Sequence, residues 1–335
     1  MKRFKKLKIT LLIILTISIV WTIIAFLPKS HSFNGENPQI KKEAPLLIAH
    51  QGGNLEFPGD TLEALYNAYS IDPNCLLEID VNMTKDEEII LIHDTTLGRT
   101  TNLDDIKVSE VTYVELMEQE VDFGYDYYDG VKKKFLNYEG KEVTPLDVNY
   151  PSGVSPRHET KFLATRLEDV IKAFPNNLIS IEIKQEKEVG LRTLELVIEM
   201  MDKLDEEYNT YKRISLASFN EDIQAELVKL KQTTHKNLMY SPATNGVVKF
   251  FILQLLKLDV FYNDQIALLQ IPMSEKGINL ATKGLIKAAN NHNIAVHYWT
   301  INNEEDMHTL IKLGADGIMT DRPTLLKQVL DEYFD

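Results

Sequence analysis

Eight short apolar runs, each separated from the next by a helical pattern, constrain this chain more than anything else in it. They read "LLIAH", "LLEIDV", "LISIEIK", "ISLASF", "NLMYS", "ALLQIP", "IAVHYWT" and "GIMTD" in chain order. Near-continuous apolar runs suit parallel strands covered on both faces. Parallel neighbours need a crossover of a dozen or more residues, which the helical patterns supply. Eight βα units within about 290 residues predict an α/β fold, a (β/α)8 TIM barrel over residues 45–335. After the first run, Leu62, Leu65, Tyr66 and Tyr69 share one helical face, with Asp60 and Glu63 at capping-box positions. Asn302 and Glu305 repeat that device after the seventh run, and Gly314 can stop that helix.

One run breaks the alternation. Between "EIDV" and "IILIHD" lie only residues 82–88, too few for a parallel crossover. A hairpin turning around Lys85 to Glu88 is expected instead, and it brings His93 beside Asp80. The stretch 104–164, with "VDFGYDYYDGVKKKFLNYEGKEV" at its centre, is too long for a plain connection. It reads as a lid, an inserted subdomain or a surface excursion.

The N-terminus differs in kind. Residues 1–8 are a basic tail holding Lys2, Arg3, Lys5, Lys6 and Lys8, and residues 9–27 carry no charge. Nineteen residues at ~1.5 Å each nearly cross the ~30 Å hydrocarbon layer. The basic tail favours the cytoplasmic side, which leaves the barrel outside a cell membrane. A cleaved signal peptide is the rival reading, against which stand the long apolar stretch and the lack of a clear small-residue cleavage site. Residues 28–44 read as a polar linker. Acidic residues outnumber basic ones 50 to 36, for a net charge of −14, which argues against a nucleic-acid partner. Cys75 is the single cysteine, so neither an internal disulfide nor a cysteine metal site can form.

Active sites of such barrels sit at the carboxyl ends of the strands. Glu78 and Asp80 are two apart on the second run and share a face; Glu182 ends the third, with Lys184 on the same face; His50 ends the first. Taken singly, each has an ordinary structural explanation, and Trp299 is ordinary barrel packing. Together they put acids and imidazoles on one rim. Three carboxylates about 5 Å apart would repel by roughly 3 kcal/mol per pair at an effective dielectric near 20. A divalent cation offsets that most simply, and oxygen donors suit Ca²⁺ or Mg²⁺.

On these residues the chain resembles the glycerophosphodiester phosphodiesterases. Their pattern is a strand ending His-Arg-Gly, then Pro-Glu-Asn-Thr, E-x-D-V, T-K-D, H-D-x-x-L-x-R-T-T, I-E-I-K, W-T and D-G-I-x-T-D-x-P. Here stand "HQG" at 50, "PGDT" at 58, "EIDV" at 78, "TKD" at 84 and "HDTTLGRTTN" at 93. "IEIK" at 181, "WTIN" at 299 and "DGIMTDRP" at 316 follow in the same order. The resemblance implies a barrel that hydrolyses glycerophosphodiesters to sn-glycerol 3-phosphate and an alcohol. It implies His50 and His93 as the acid–base pair and Glu78, Asp80 and Glu182 as ligands of the divalent cation. Gln51, Lys184 and Trp299 fall at substrate-binding positions. Gln51 stands where the family has arginine, and Gly59 where it has glutamate. A glutamine lacks the charged fork of guanidinium, and a paired loss accounts for both changes. Lysophospholipids or glycerophosphate polymers are alternative substrates, and a catalytically weak phosphodiester-binding barrel is the alternative to an enzyme.

Overall fold

The computed structural model describes residues 2–334. Among these, eight parallel strands form the barrel: β1 (Leu46–Ala49), β2 (Leu76–Met83), β3 (Ile179–Ile183) and β4 (Ile214–Ala217), then β5 (Met239–Tyr240), β6 (Leu268–Ile271), β7 (Ala295–Tyr298) and β8 (Gly317–Thr320). Each pairs with its neighbours in sequence order except β5 with β6, which are the two ends of the sheet, and β1 pairs with β8. Between β5 and β6 the wall is joined by one backbone hydrogen bond, from Ala267 N–H to the Tyr240 carbonyl at 3.2 Å. All eight expected strands are present.

Strand alternation sorts the side chains. On β2, Leu77, Ile79 and Val81 are fully buried in the main core, which the helices cover. Leu76, Glu78 and Asp80 take the other face, inside the barrel. Leu76 lies in an inner apolar layer with Ile48 and Met319, against which Trp299 packs. The inner face is therefore apolar in its middle layer and acidic at its mouth.

The hairpin is also present. Residues Ile89–Leu91 pair antiparallel with the far end of β2, and Thr84 N–H donates to the Glu88 carbonyl at 2.9 Å across the turn. Ile92 N–H then donates to the Asp80 carbonyl at 3.0 Å, which delivers His93 to the rim.

Two caps differ from the expected positions. Thr61, not Asp60, caps helix Leu62–Ile71 by accepting from Ala64 N–H. Asp60 has a positive φ of 59° and turns inward, where its carboxylate accepts from Asp80 N–H at 3.0 Å. Asn303, not Asn302, caps helix Glu304–Leu313 by accepting from Asp306 N–H at 2.9 Å. Asn302 is drawn instead to the β8 end, where its side-chain oxygen accepts from Asp321 N–H at 2.9 Å. In both places a polar side chain at a helix start is recruited by the barrel mouth, and the next residue supplies the cap. Gly314 ends the second helix with φ 89°, as expected.

The stretch 28–44 is packed onto the barrel rather than free. Phe33 is buried against Met239, Ala267, Leu268 and Ala295. Asn37 donates to the carbonyls of Ala267 and Asn293, and the Gln39 carbonyl contacts His297 Nε2 at 2.9 Å. Before it runs helix Lys2–Ala25, in which Phe4–Ala25 is long and apolar enough to cross a membrane. It starts earlier than the charge-free run because nothing in the basic tail breaks a helix. Trp21 Nε1 donates to the Leu256 carbonyl at 2.9 Å.

The insertion is a small subdomain with helix Tyr113–Glu118 and an antiparallel pair, Tyr125–Tyr128 with Val131–Lys134. Buried Asp122 ties it together by accepting from Gly124 and Phe162 N–H and pairing with Lys134. It joins the barrel through Tyr138 N–H to the Leu55 carbonyl and through Arg157, which pairs with buried Glu63.

Candidate active site

The parallel register of β2 and β3 sets Asp80 directly beside Glu182. With Glu78 one alternation earlier, carboxylate oxygens of all three lie within 4.8 Å of one another. Lys184 bridges two of them, its Nζ 3.0 Å from Asp80 Oδ1 and 2.8 Å from Glu182 Oε1. Burial, then the Asp80 charge, push Glu78 up to about 8. Burial and Asp80 also raise Glu182, and the fully buried Asp60 behind them lies well above the carboxylate range for the same reasons. Burial opposes the charge on Lys184, but Asp80 and Glu182 outweigh it and hold its ammonium above the usual range.

At the end of β1 the chain turns through His50–Gly52 into Gly53. Glycine is required twice here: φ is 82° at Gly52 and 99° at Gly53, and a Cβ at Gly52 would meet Ala64 at 2.8 Å. His50 Nδ1 lies 2.5 Å from Asp321 Oδ1, and Nε2 lies 3.9 Å from Glu78 Oε2. Asn302 Nδ2 donates to the other Asp321 oxygen at 2.6 Å. Burial alone would lower the His50 imidazolium, yet the Asp321 hydrogen bond and the charges of Glu78, Asp321 and Asp80 raise it to about 9.

His93 has its own carboxylate, with Nδ1 2.7 Å from Asp94 Oδ1. Arg99 grips Asp94 with both arms, Nε to Oδ2 at 2.6 Å and an Nη to Oδ1 at 2.9 Å. Burial would raise Asp94, but the hydrogen bonds from His93 and Arg99 hold it well below the carboxylate range.

His50, Glu78, His93, Glu182, Lys184 and Trp299 line one cleft of about 300 Å³, closed opposite by Ser218, Phe219 and Pro242. No residue of the insertion lines it. Gln51 also lies off this cleft. Its backbone N–H donates to Glu78 at 3.0 Å, and its amide donates to Asp80 Oδ2 at 2.8 Å while accepting from Asn54 at 2.9 Å. A Cβ at Gly59 would come 2.6 Å from the Gln51 amide oxygen. The two departures from the family pattern are therefore in contact. Of the expected site residues, Gln51 and Asp80 do not line the cleft, although Asp80 joins the acidic cluster beside it.

Sequence reasoning gave no site role to Asp94, Arg99 or Asp321, and it read Asn302 only as a helix cap. All four sit inside quoted motifs, in "HDTTLGR" and from "WTIN" to "DGIMTD". A carboxylate-rich motif beside a histidine was the available signal.

Acids and carboxylate-backed imidazoles at the strand ends of a parallel barrel define a TIM-barrel hydrolase. The model of the Glycerophosphoryl diester phosphodiesterase family matches residues 50–325, and the chain belongs to that family, a family of phosphoric diester hydrolases. A glycerophosphodiester phosphodiesterase of Caldanaerobacter subterraneus subsp. tengcongensis is 26% identical over 290 residues, covering 84% of this chain and 96% of that one. Human lysophospholipase D GDPD1 is 26% identical over 303 residues, covering 85% and 86%. An Oleispira antarctica phosphodiesterase, solved in complex with the product sn-glycerol-3-phosphate, shares the fold at TM-score 0.59 and 20% identity, over 86% of this chain and 97% of that one.

Proposed function

We propose that the chain hydrolyses glycerophosphodiesters to sn-glycerol 3-phosphate and an alcohol, with His50 as general acid and His93 as general base. The observation that carries this is the meeting of three acids with two carboxylate-backed imidazoles around one cleft. Glu78, Asp80 and Glu182 form an all-oxygen donor set, close enough to share one point, that fits Ca²⁺ or Mg²⁺. When bound, the cation supplies positive charge against the phosphoryl oxygens.

The chain's own groups divide the rest. Lys184 holds Asp80 and Glu182 together and adds a cation to the cleft wall. His93 takes the proton of the nucleophile, water or the neighbouring glycerol hydroxyl, and Asp94 fixes its ring through Nδ1. His50, held by Asp321, gives a proton from Nε2 to the departing alkoxide. The Gly52–Gly53 turn, packed closely on Ala64 and Pro323, sets His50 at the cleft. Trp299 packs edge-on to Phe219 at 6.4 Å and bounds the glycerol side. Gln51 serves by orienting Asp80, in place of an arginine on the phosphate.

Helix Phe4–Ala25 anchors the enzyme as a single-pass protein, with Lys5, Lys6 and Lys8 inside and the barrel outside the cytoplasm. The test is alcohol release from glycerophosphocholine, with EDTA and with each metal restored. Activity lost in EDTA and regained with one cation is expected; metal-indifferent turnover, or none at all, contradicts the proposal.

A further inference from the structure

We infer that helix Thr244–Leu255 and the turn after it make a second membrane contact, an apolar side of the barrel wall that rests in the interface of the bilayer crossed by the N-terminal helix. The inference rests on the anchor reading and goes beyond it, because an anchor by itself leaves a barrel free to stand clear of the surface. The helix "TNGVVKFFILQL" holds one charged residue, Lys249, which is paired with Asp264 at 2.6 Å. Its inner side is buried in the ordinary way, through Phe250 and Gln254. Its outer side is apolar as well: Val248, Ile252 and Leu255 recur at helical spacing and share one exposed face.

A helix apolar on all sides is ordinarily covered on all sides. This one stays exposed on its outer side. The two longer helices before it on the wall, Lys187–Tyr208 and Glu221–Gln232, each expose a single large apolar residue, Val189 and Val228. Here the three outward residues continue at one end into Leu256 and Phe261, both exposed. At the other end Phe219 and Ile278, also exposed, line a groove together with Val248 and Ile252. The result is a continuous apolar band rather than scattered residues, and bands of this kind mark contact surfaces.

The N-terminal helix identifies the occupant as the bilayer. Trp21 Nε1 donates to the Leu256 carbonyl at 2.9 Å, so this end of the band lies at the depth of Trp21. Trp21 precedes the end of the apolar helix Phe4–Ala25 by ~6 Å at ~1.5 Å per residue. A helix long enough to cross a membrane therefore holds Leu256 at the level of the interface, where tryptophan is itself preferred. The chain between helix and barrel has no slack to lift it away. Lys29 pairs with Asp259 at 3.4 Å, the Ser30 carbonyl meets His292 Nδ1 at 2.8 Å, and Ser32 N–H donates to the His292 carbonyl at 2.7 Å. Barrel helices form the outer ring of the wall, so contact along this one lays the barrel on its side. The cleft, which Phe219 also borders, then opens along the bilayer surface.

The experiment places a nitrobenzoxadiazole probe on Ile252→Cys or Leu255→Cys of the full chain in phosphatidylcholine vesicles. Gln328→Cys is the control, exposed on helix Pro323–Phe334 three strands further round the wall, and the buried Cys75 is shielded from label. Iodide quenches the probe from water, and a nitroxide on the lipid acyl chain quenches it from the bilayer. At Ile252→Cys and Leu255→Cys the emission should shift to the blue, with several-fold less iodide quenching and several-fold more nitroxide quenching than at Gln328→Cys. Val248→Glu with Ile252→Glu should return a probe on Leu255→Cys toward water. A probe left equally deep in that variant is drawn in by its own ring or by the anchor, and overturns the inference. Protection from both quenchers means that protein, such as a second copy of the chain, covers the band, and overturns it too. Iodide access equal to the control in a chain that resists carbonate extraction overturns the inference and leaves the anchor reading standing. A chain that carbonate extracts overturns both.

Discussion

The two imidazoles at the barrel mouth are built alike and backed differently. Each holds Nδ1 on a carboxylate, Asp321 for His50 and Asp94 for His93. Asp321 is met on its other oxygen by Asn302, a neutral amide, so its charge is available to His50. Asp94 is gripped by both arms of Arg99, so much of its charge is already balanced. Glu78 also faces His50 at 3.9 Å, whereas His93 sits on the open side of the rim. The first carboxylate keeps its charge for its ring, while the second shares it with a guanidinium. On the proposed mechanism one motif serves as acid in one place and as base in the other, and what differs is the partner of the partner.

The most damaging way to break this pair is to delete a ring. His50→Ala and His93→Ala should each lower kcat by about 10²–10⁴-fold on an alkyl diester without loss of fold. Near-normal turnover in either would end the assignment. Asp321→Asn should move the alkaline limb of the kcat/KM profile to lower pH, because His50 loses the carboxylate on its Nδ1. Arg99→Ala should lower kcat/KM without moving that limb, because Asp94 then loses the guanidinium that fixes its carboxylate on His93 Nδ1. A shift of about one pH unit is expected for Asp321→Asn, and an equal shift of the same limb in Arg99→Ala would erase the distinction.

A smaller effect concerns Gln51 and Gly59. Gln51→Arg alone should leave turnover unchanged or lower it, since the guanidinium meets no acid at 59 and displaces the amide from Asp80. Gln51→Arg with Gly59→Glu should recover more than the single changes predict, by about 1 kcal/mol of coupling. A large gain from Gln51→Arg alone would contradict the paired loss.

The smallest effect is on stability. In the metal-free protein both Glu78 (from 4.5 to about 8) and His50 (from 6.5 to about 9) bind protons more tightly when folded. The folded state then holds more protons than the unfolded one across these windows, so stability falls as pH rises from about 5 to 9. Thermal melts in EDTA should show Tm declining over that range. An added divalent cation, which favours the ionised carboxylates, should flatten the decline. A metal-free Tm rising with pH would contradict the coupling at the rim.

The fold was legible because the near-continuous apolar runs and their spacing admit few architectures, and "EIDV" carried its acids on one face. The hairpin was legible because residues 82–88 are too few to cross over. The caps were misplaced by one residue because local capping rules do not see the barrel mouth, which claims Asp60 and Asn302. Phe33 and Asn37 read as linker because their partners are more than 200 positions away. Arg99 was invisible for a similar reason: its role lies in neutralising a neighbour, which no spacing rule encodes.

The division of labour between the rings is tested most directly by changing the leaving group. A p-nitrophenyl phosphodiester departs without needing a proton, so His50→Ala should recover most of its lost rate on that substrate, and His93→Ala should not. Equal defects on both substrates, or recovery in His93→Ala instead, would contradict the account.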